Sequence, residues 1–203
     1  TPQRLAEASL GRGFDWTGDG RVVFAGGPDV GLSIVSENGG EVAELTTLDE
    51  AAGEVTHRWP QVLPGDRRVL FTAHTSRGDF DRAYLDVLDM DTGARTTVQR
   101  GGFSGRYVKS GHLLYTNSGT LFALPFDIEA LQPTGSAVPI IQDIRVTAEG
   151  ASDWSVSDNG TLVYRTGAIF IPKHLINWLD EGEMLPLWGQ AQTYAEPRLS
   201  PDG

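Results

Sequence analysis

A polar corner followed by a short apolar strand ending in an aromatic recurs four times in this chain. Thr17-Gly18-Asp19-Gly20 precedes "RVVF", Pro64-Gly65-Asp66-Arg67 precedes "RVLF", Lys109-Ser110-Gly111-His112 precedes "LLY", and Ser157-Asp158-Asn159-Gly160 precedes "TLVY". The closing aromatics Phe24, Phe71, Tyr115 and Tyr164 are spaced by 47, 44 and 49 residues. Gly, Asp and Asn tolerate the positive φ that tight corners demand. A period in the forties matches one four-stranded propeller blade. Helical repeats of similar period fit poorly, because apolar residues at i, i+3, i+4 and i+7 are scarce; the best helical stretch, "LDEAAGE" (48–54), is interrupted by Gly53.

Each unit divides into four strands. In the second they are "WPQVL" (59–63), "RVLFTA" (68–73), "AYLDVLDM" (83–90) and "ARTTVQR" (94–100), with Asp91-Thr92-Gly93 turning the last hairpin. One four-stranded sheet leaves both faces wet, whereas sheets stacked around a common axis bury them. The pattern predicts an all-β chain, a single β-propeller region over 1–203. Its four complete blades lie near 13–50, 57–100, 104–142 and 152–190, with partial blades at 1–8 and 194–203. "TPQRLAEA" reads as an outermost strand and "AEPRLSPDG" as an innermost strand with its corner. Open strand edges at both ends predict self-association, or excision from a longer chain. The absence of an opening Met points the same way.

Composition narrows the function classes. The 203 residues are 39% apolar and 21% charged, enough for a core without staples. With no cysteine there is no disulfide framework, thiolate catalysis or Cys-ligated metal. The net charge of −11 disfavours nucleic acid and anionic lipid as partners. No run of 18 apolar residues is present to insert in a membrane, and the N-terminus lacks an apolar signal core.

Pro197-Arg198-Leu199-Ser200-Pro201-Asp202-Gly203 resembles the signature of TolB-type, WD40-like propeller repeats, with Leu199 where that signature has an aromatic. The consensus corner proline is replaced by Gly18, Ser110 and Asp158 in three of the repeats. Segments 45–75, 101–140 and 155–167 are similar to propeller regions that follow bacterial serine/threonine kinase domains, although the chain has no His-Arg-Asp or Asp-Phe-Gly motif. The resemblance implies a propeller of more than four blades, a sensory or binding part of a larger protein, and an extracytoplasmic location. It carries over no catalytic residue, because these repeats define a scaffold.

Candidate chemistry is sparse. His57, His74, His112 and His174 lack a second ligand at metal spacing. "LDVLDMDTG" (85–93) lacks the further acid of a calcium loop and reads as a hairpin whose Asp side chains bond nearby backbone N–H groups. Gly-x-Ser-x-Gly is absent, "GFSGR" (102–106) missing it by one residue. No catalytic residue, metal site or cofactor is therefore expected. The one constellation is the loop into each innermost strand: Asp15 and Trp16; His57, Arg58 and Trp59; Arg106 and Tyr107; Asp153 and Trp154; Tyr194 and Glu196. Radial repetition would gather His57, Arg58, Trp59, Arg106, Tyr107, Asp153, Tyr194 and Glu196 around a channel mouth suited to a small polar ligand or a protein partner. Trp16, in register with Val62, Val156 and Leu199, is expected to pack between blades, and Trp154 can do the same. These features predict a non-catalytic binding or interaction module. The rival expectations are an accessory or gating propeller of a hydrolase, and a fragment with no function of its own.

Overall fold

The computed structural model describes residues 4–157, 159–167, 177–180 and 183–186. Among them there are strands and no helix. The chain divides into two units, Thr1–Ala168 and Ile169–Gly203.

The first unit is a succession of antiparallel sheets, each built from neighbouring strands in chain order. The first sheet comprises β1 (Phe14–Trp16), β2 (Arg21–Ala25), β3 (Leu32–Ser36) and β4 (Ala43–Glu44). The second comprises β5 (Thr56–Val62), β6 (Arg68–His74), β7 (Tyr84–Asp89) and β8 (Arg95–Arg100). In the third, β9 (Phe103–Val108), β10 (His112–Asn117) and β11 (Thr120–Asp127) are followed by two short strands, β12 (Gln132–Pro133) and β13 (Val138–Ile141), which both pair with β11. A hairpin of β14 (Trp154–Val156) and β15 (Leu162–Tyr164) comes next. The second unit contains the hairpin of β16 (Asn177–Asp180) and β17 (Glu183–Pro186).

Strand alternation explains why the middle strands read as nearly continuous apolar runs. Successive side chains point to opposite faces, so a strand buried on both needs apolar groups throughout. In β6, Val69, Phe71 and Ala73 join Val23, Ala25 and Leu32 of the first sheet in one core cluster. Leu70 turns the other way, to a cluster with Leu85, Val87, Leu113, Tyr115 and Phe126 between the second and third sheets. In β10, Leu114 packs with Leu121, Ile144, Trp154 and Leu162, joining the third sheet to the β14–β15 hairpin.

Residues 4–8 form no strand. Leu5 and Ala6 instead pack on Val22, Phe24 and Val35, the face of the first sheet turned away from the second. The stretch 194–203 lies outside the described residues.

Candidate functional site

The first strands β1, β5, β9 and β14 share a common register. Trp16, Val62, Tyr107 and Val156 each pair with the residue two before the closing aromatic of the next strand: Val22, Val69, Leu113 and Leu162. This alignment turns each linear motif into a level around an axis. The strands line a cavity of about 670 Å³, whose wall includes Asp15, Trp16, Gln61, Arg106, Tyr107 and Trp154. A second cavity of about 430 Å³ opens between the third sheet and the β14–β15 hairpin, where His112 contributes to the wall.

One level back from the shared position, the polar ring serves the fold. Asp15 accepts a hydrogen bond from Val62 N–H at 2.8 Å. Gln61 accepts from Tyr107 N–H at 2.7 Å and donates to Tyr107 C=O at 3.0 Å. A side chain of one sheet thus latches the first strand of the next. The backbone groups concerned face away from their own sheets and need partners. Arg106 reverses the direction, donating to Pro60 C=O at 2.8 Å. Burial, opposed by Asp15, holds its guanidinium below the usual arginine range.

Two levels further back the strands bulge. Gly13, Trp59 and Ser104 occupy equivalent positions with φ of 100°, 55° and 53°, and the ladders of β5 and β9 shift register beside them. Positive φ is uncommon outside glycine, and a bulge is where a strand re-aims a side chain. Here the bulge turns the Trp59 indole inward, where Nε1 donates to Gly150 C=O at 3.0 Å. The Ser104 hydroxyl donates to the same carbonyl at 3.4 Å. Gly13 gives room for this plug, since a Cβ there would meet Trp59 Cα at 3.0 Å.

The expected mouth residues therefore part company. Trp59, Arg106 and Tyr107 line the cavity, together with Asp15, Trp16 and Trp154. Trp16 is 49% exposed along this wall, and its neighbour Phe14 is 66% exposed. Trp16 thus faces open space, whereas Val62 and Val156 pack against interior clusters. The Trp154 indole donates to Thr116 Oγ1 at 3.0 Å. Asp153 lies off the cavity wall and pairs with Arg165 at 2.8 Å. His57 and Arg58 are buried and also lie off that wall. Tyr194 and Glu196 lie outside the described residues. Phe14 and Gln61 are wall residues that the linear motifs do not single out, and Asp66, a corner residue in those motifs, also lines the wall; the register of β1 and β5 is the signal that finds Phe14 and Gln61.

His57 belongs to a buried network between the first two sheets. Leu32 N–H donates to Thr46 Oγ1 at 2.7 Å. The Thr46 hydroxyl lies 2.7 Å from His57 Nδ1, and His57 Nε2 lies 2.9 Å from Glu54 Oε2. With the hydroxyl donating to Nδ1, the Nε2–H tautomer donates to the carboxylate. Arg95 binds both Glu54 oxygens, through Nη1 at 2.9 Å and through Nη2, and also binds Asp86. Burial raises the pKa of Glu54, but bonds from Arg95, Asp49 N–H and His57 outweigh it and leave the value at about 2. Burial, with Arg95 adding to it against Glu54, lowers the pKa of His57. Hydroxyl, imidazole and carboxylate follow one another as in a nucleophilic triad, yet Thr46 is 6% exposed and none of the three lines either cavity. Their geometry fixes one sheet against the next.

The acidic hairpin 85–93 separates into two parts. Asp89 accepts hydrogen bonds from Asp91 N–H at 3.1 Å and Thr92 N–H at 3.0 Å, the turn arrangement read from the sequence. Asp86 instead points into the buried network. Among the described residues, no group of three or more His, Asp or Glu comes together to hold a metal ion.

A scan against protein-family models finds no match, and a search of curated proteins finds none. Among solved structures, the chain is similar to a calcium-binding protein, regucalcin, from Agrobacterium tumefaciens strain C58, with a TM-score of 0.55 and 12% identity. The match covers 87% of this chain and spans 59% of that one. At this identity the likeness establishes the fold alone: a β-propeller-type arrangement of all-β sheets.

Proposed function

We propose that this chain is a non-catalytic β-propeller module that binds a ligand or a protein segment in the cavity between its first strands. The observation that carries the reading is the wall of Phe14 and Trp16, large aromatic surfaces exposed on a concave cavity of about 670 Å³. Concave, largely pre-formed sites with aromatic walls and a few convergent polar groups are where ligands bind. Asp15, Gln61 and Arg106 are already engaged in latching sheets together. Stacking on the indole would therefore contribute more than new bonds to those three. The calcium binding of the Agrobacterium protein is not carried over, because a likeness at 12% identity speaks to the fold alone.

The finer features belong to the same proposal. The region has four complete blades, as part of a larger TolB-type or kinase-linked propeller protein, and it self-associates. Exposed Phe14, Trp16, Val163 and Tyr164 on the first and last described sheets of the first unit favour association. Light scattering tests this, and a monomer at high concentration counts against it. For the cavity, tryptophan fluorescence is followed while oligosaccharides and unstructured peptides are titrated. Saturable quenching that disappears in Trp16→Ala supports the reading. Saturable quenching that persists in Trp16→Ala with unchanged affinity excludes this wall.

A further inference from the structure

One level beyond the Trp59 plug, Arg12 and Arg58 occupy equivalent positions: just before β1, Arg12 N–H donates to Ala25 C=O at 3.0 Å, and in β5 Arg58 pairs with Thr72, each opposite the residue after the closing aromatic. Neither lines the cavity. Arg58 is 5% exposed. It donates through Nη1 to Glu149 C=O, while its Nε–H is buried without a partner. The Nε of Arg12 is likewise buried without a partner. Buried donors are almost always satisfied, and two unsatisfied guanidinium N–H groups at one level call for an acceptor.

The neighbouring acids do not supply it directly. Asp29 pairs with Arg77 at 2.8 Å. The Glu149 carboxyl is held below its usual range first by the Thr147 side chain and then by its own backbone, with Arg12 and Arg58 acting through space. Burial, then the charge of Arg12, holds Arg58 below the usual arginine range. The backbone sets the two residues side by side: Trp59 N–H, next in the chain to Arg58, donates to Arg12 C=O at 2.8 Å. Arg12 is half-buried, so its end of the pair borders solvent.

We propose that Arg12 and Arg58 form a site for a small oxyanion of phosphate or carboxylate class, one register step beyond the plug and outside the cavity wall. Guanidinium groups suit this ligand, because their planar N–H groups match the paired oxygens of an oxyanion and stay charged when buried. An anion between them would satisfy both Nε–H groups and relieve the repulsion between two like charges.

The test uses the full 203-residue chain, titrated calorimetrically with inorganic phosphate, sulfate and acetate at ionic strength held constant with chloride. Phosphate or acetate is expected to bind saturably, and the tighter of the two tells a phosphoryl from a carboxylate source. Arg12→Gln and Arg58→Lys should each weaken that binding by about 10-fold or more. Glu149→Gln should tighten it by about 3-fold by removing a competing negative charge. If Arg58→Lys does not fold, Arg12→Gln decides, because its side chain is only half-buried. Failure of every oxyanion to saturate at roughly 10 mM, a site filled equally by chloride, or unchanged affinity in Arg12→Gln overturns the proposal. Loss of phosphate binding in Trp16→Ala would put the anion in the cavity and overturn it too, whether or not the cavity reading itself holds.

Discussion

The two well-buried junctions of the first unit use opposite means. Between the second and third sheets the centre of the contact is apolar, with Leu70, Leu85, Val87 and Val98 meeting Leu113, Tyr115, Leu124 and Phe126, and the Gln61–Tyr107 and Arg106–Pro60 bonds lie at its edge by the cavity. Between the first and second sheets an apolar cluster shares the space with Thr46, His57, Glu54, Arg95 and Asp86. The cause is strand alternation in β7. Asp86 stands across from Phe71 and faces the first sheet, whereas Leu85 stands across from Thr72 and faces the third. Apolar packing tolerates small slips at modest cost. A chain of directional bonds from Leu32 N–H to Asp86 holds only in one arrangement. The comparison teaches that equivalent junctions of one fold can be specified by shape in one place and by hydrogen-bond geometry in another.

The sharpest way to break the polar junction is Glu54→Ala, which leaves the buried His57 without its carboxylate and the half-buried Arg95 with Asp86 alone. A loss of about 3–5 kcal/mol is expected, read as a lower midpoint in urea. At the apolar junction, Leu85→Ala should cost about 3 kcal/mol from lost burial and the cavity left behind, with the same loss at pH 7 and pH 4.

Acid acts most directly on the polar junction, while His74, against Phe103 of the third sheet, adds a response of its own. The folded pKa of Glu54, about 2, lies below its ordinary 4.5. The carboxylate therefore adds stability above pH 4.5 that disappears as pH falls towards 2, an amount of about 3 kcal/mol. His57 and His74 are also depressed, His74 to about 3, mainly by burial. The stability linked to their neutral forms is present above pH 6.5 and is lost as acid charges them. Urea midpoints should therefore fall from pH 6.5 downward, and Glu54→Gln should flatten the part below pH 4.5. A variant with the parent's slope in that range would show that Glu54 is not the acid-sensitive contact.

The smallest effect concerns the latches. Gln61→Ala leaves the Tyr107 N–H and C=O without their side-chain partner and should cost about 1 kcal/mol. Faster amide exchange at Tyr107, with Val62 unchanged, is the accompanying sign. Equal exchange at both positions would mean that the latch carries no local stability.

Much of the fold was legible along the chain. The strand expected at 68–73 is β6 at Arg68–His74, and that expected at 94–100 is β8 at Arg95–Arg100. Both faces of β6 are buried, which forces a continuous apolar run, and the corners need Gly or Asp. The fourth position of the third sheet was only half legible. The apolar stretch at 137–142 of the sequence contains β13, but β12 at Gln132–Pro133 is two exposed residues without an apolar pattern. The candidate site was legible as a set of first-strand residues and not as a surface. His57, Arg58 and Trp59 are adjacent in the chain and were read as one patch; alternation sends His57 to the first sheet, and the bulge turns Trp59 into the plug.

The linear order of residues by itself determined an all-β chain of similar sheets, because corner chemistry and apolar period are local properties. Only the tertiary structure decided which polar groups remain available for binding. Whether Asp15, Gln61 and His57 face a ligand or a neighbouring sheet depends on partners 47, 46 and 11 residues away. Those partners' polar groups must be satisfied once they are buried, and nothing local in the chain announces which side chain will do it.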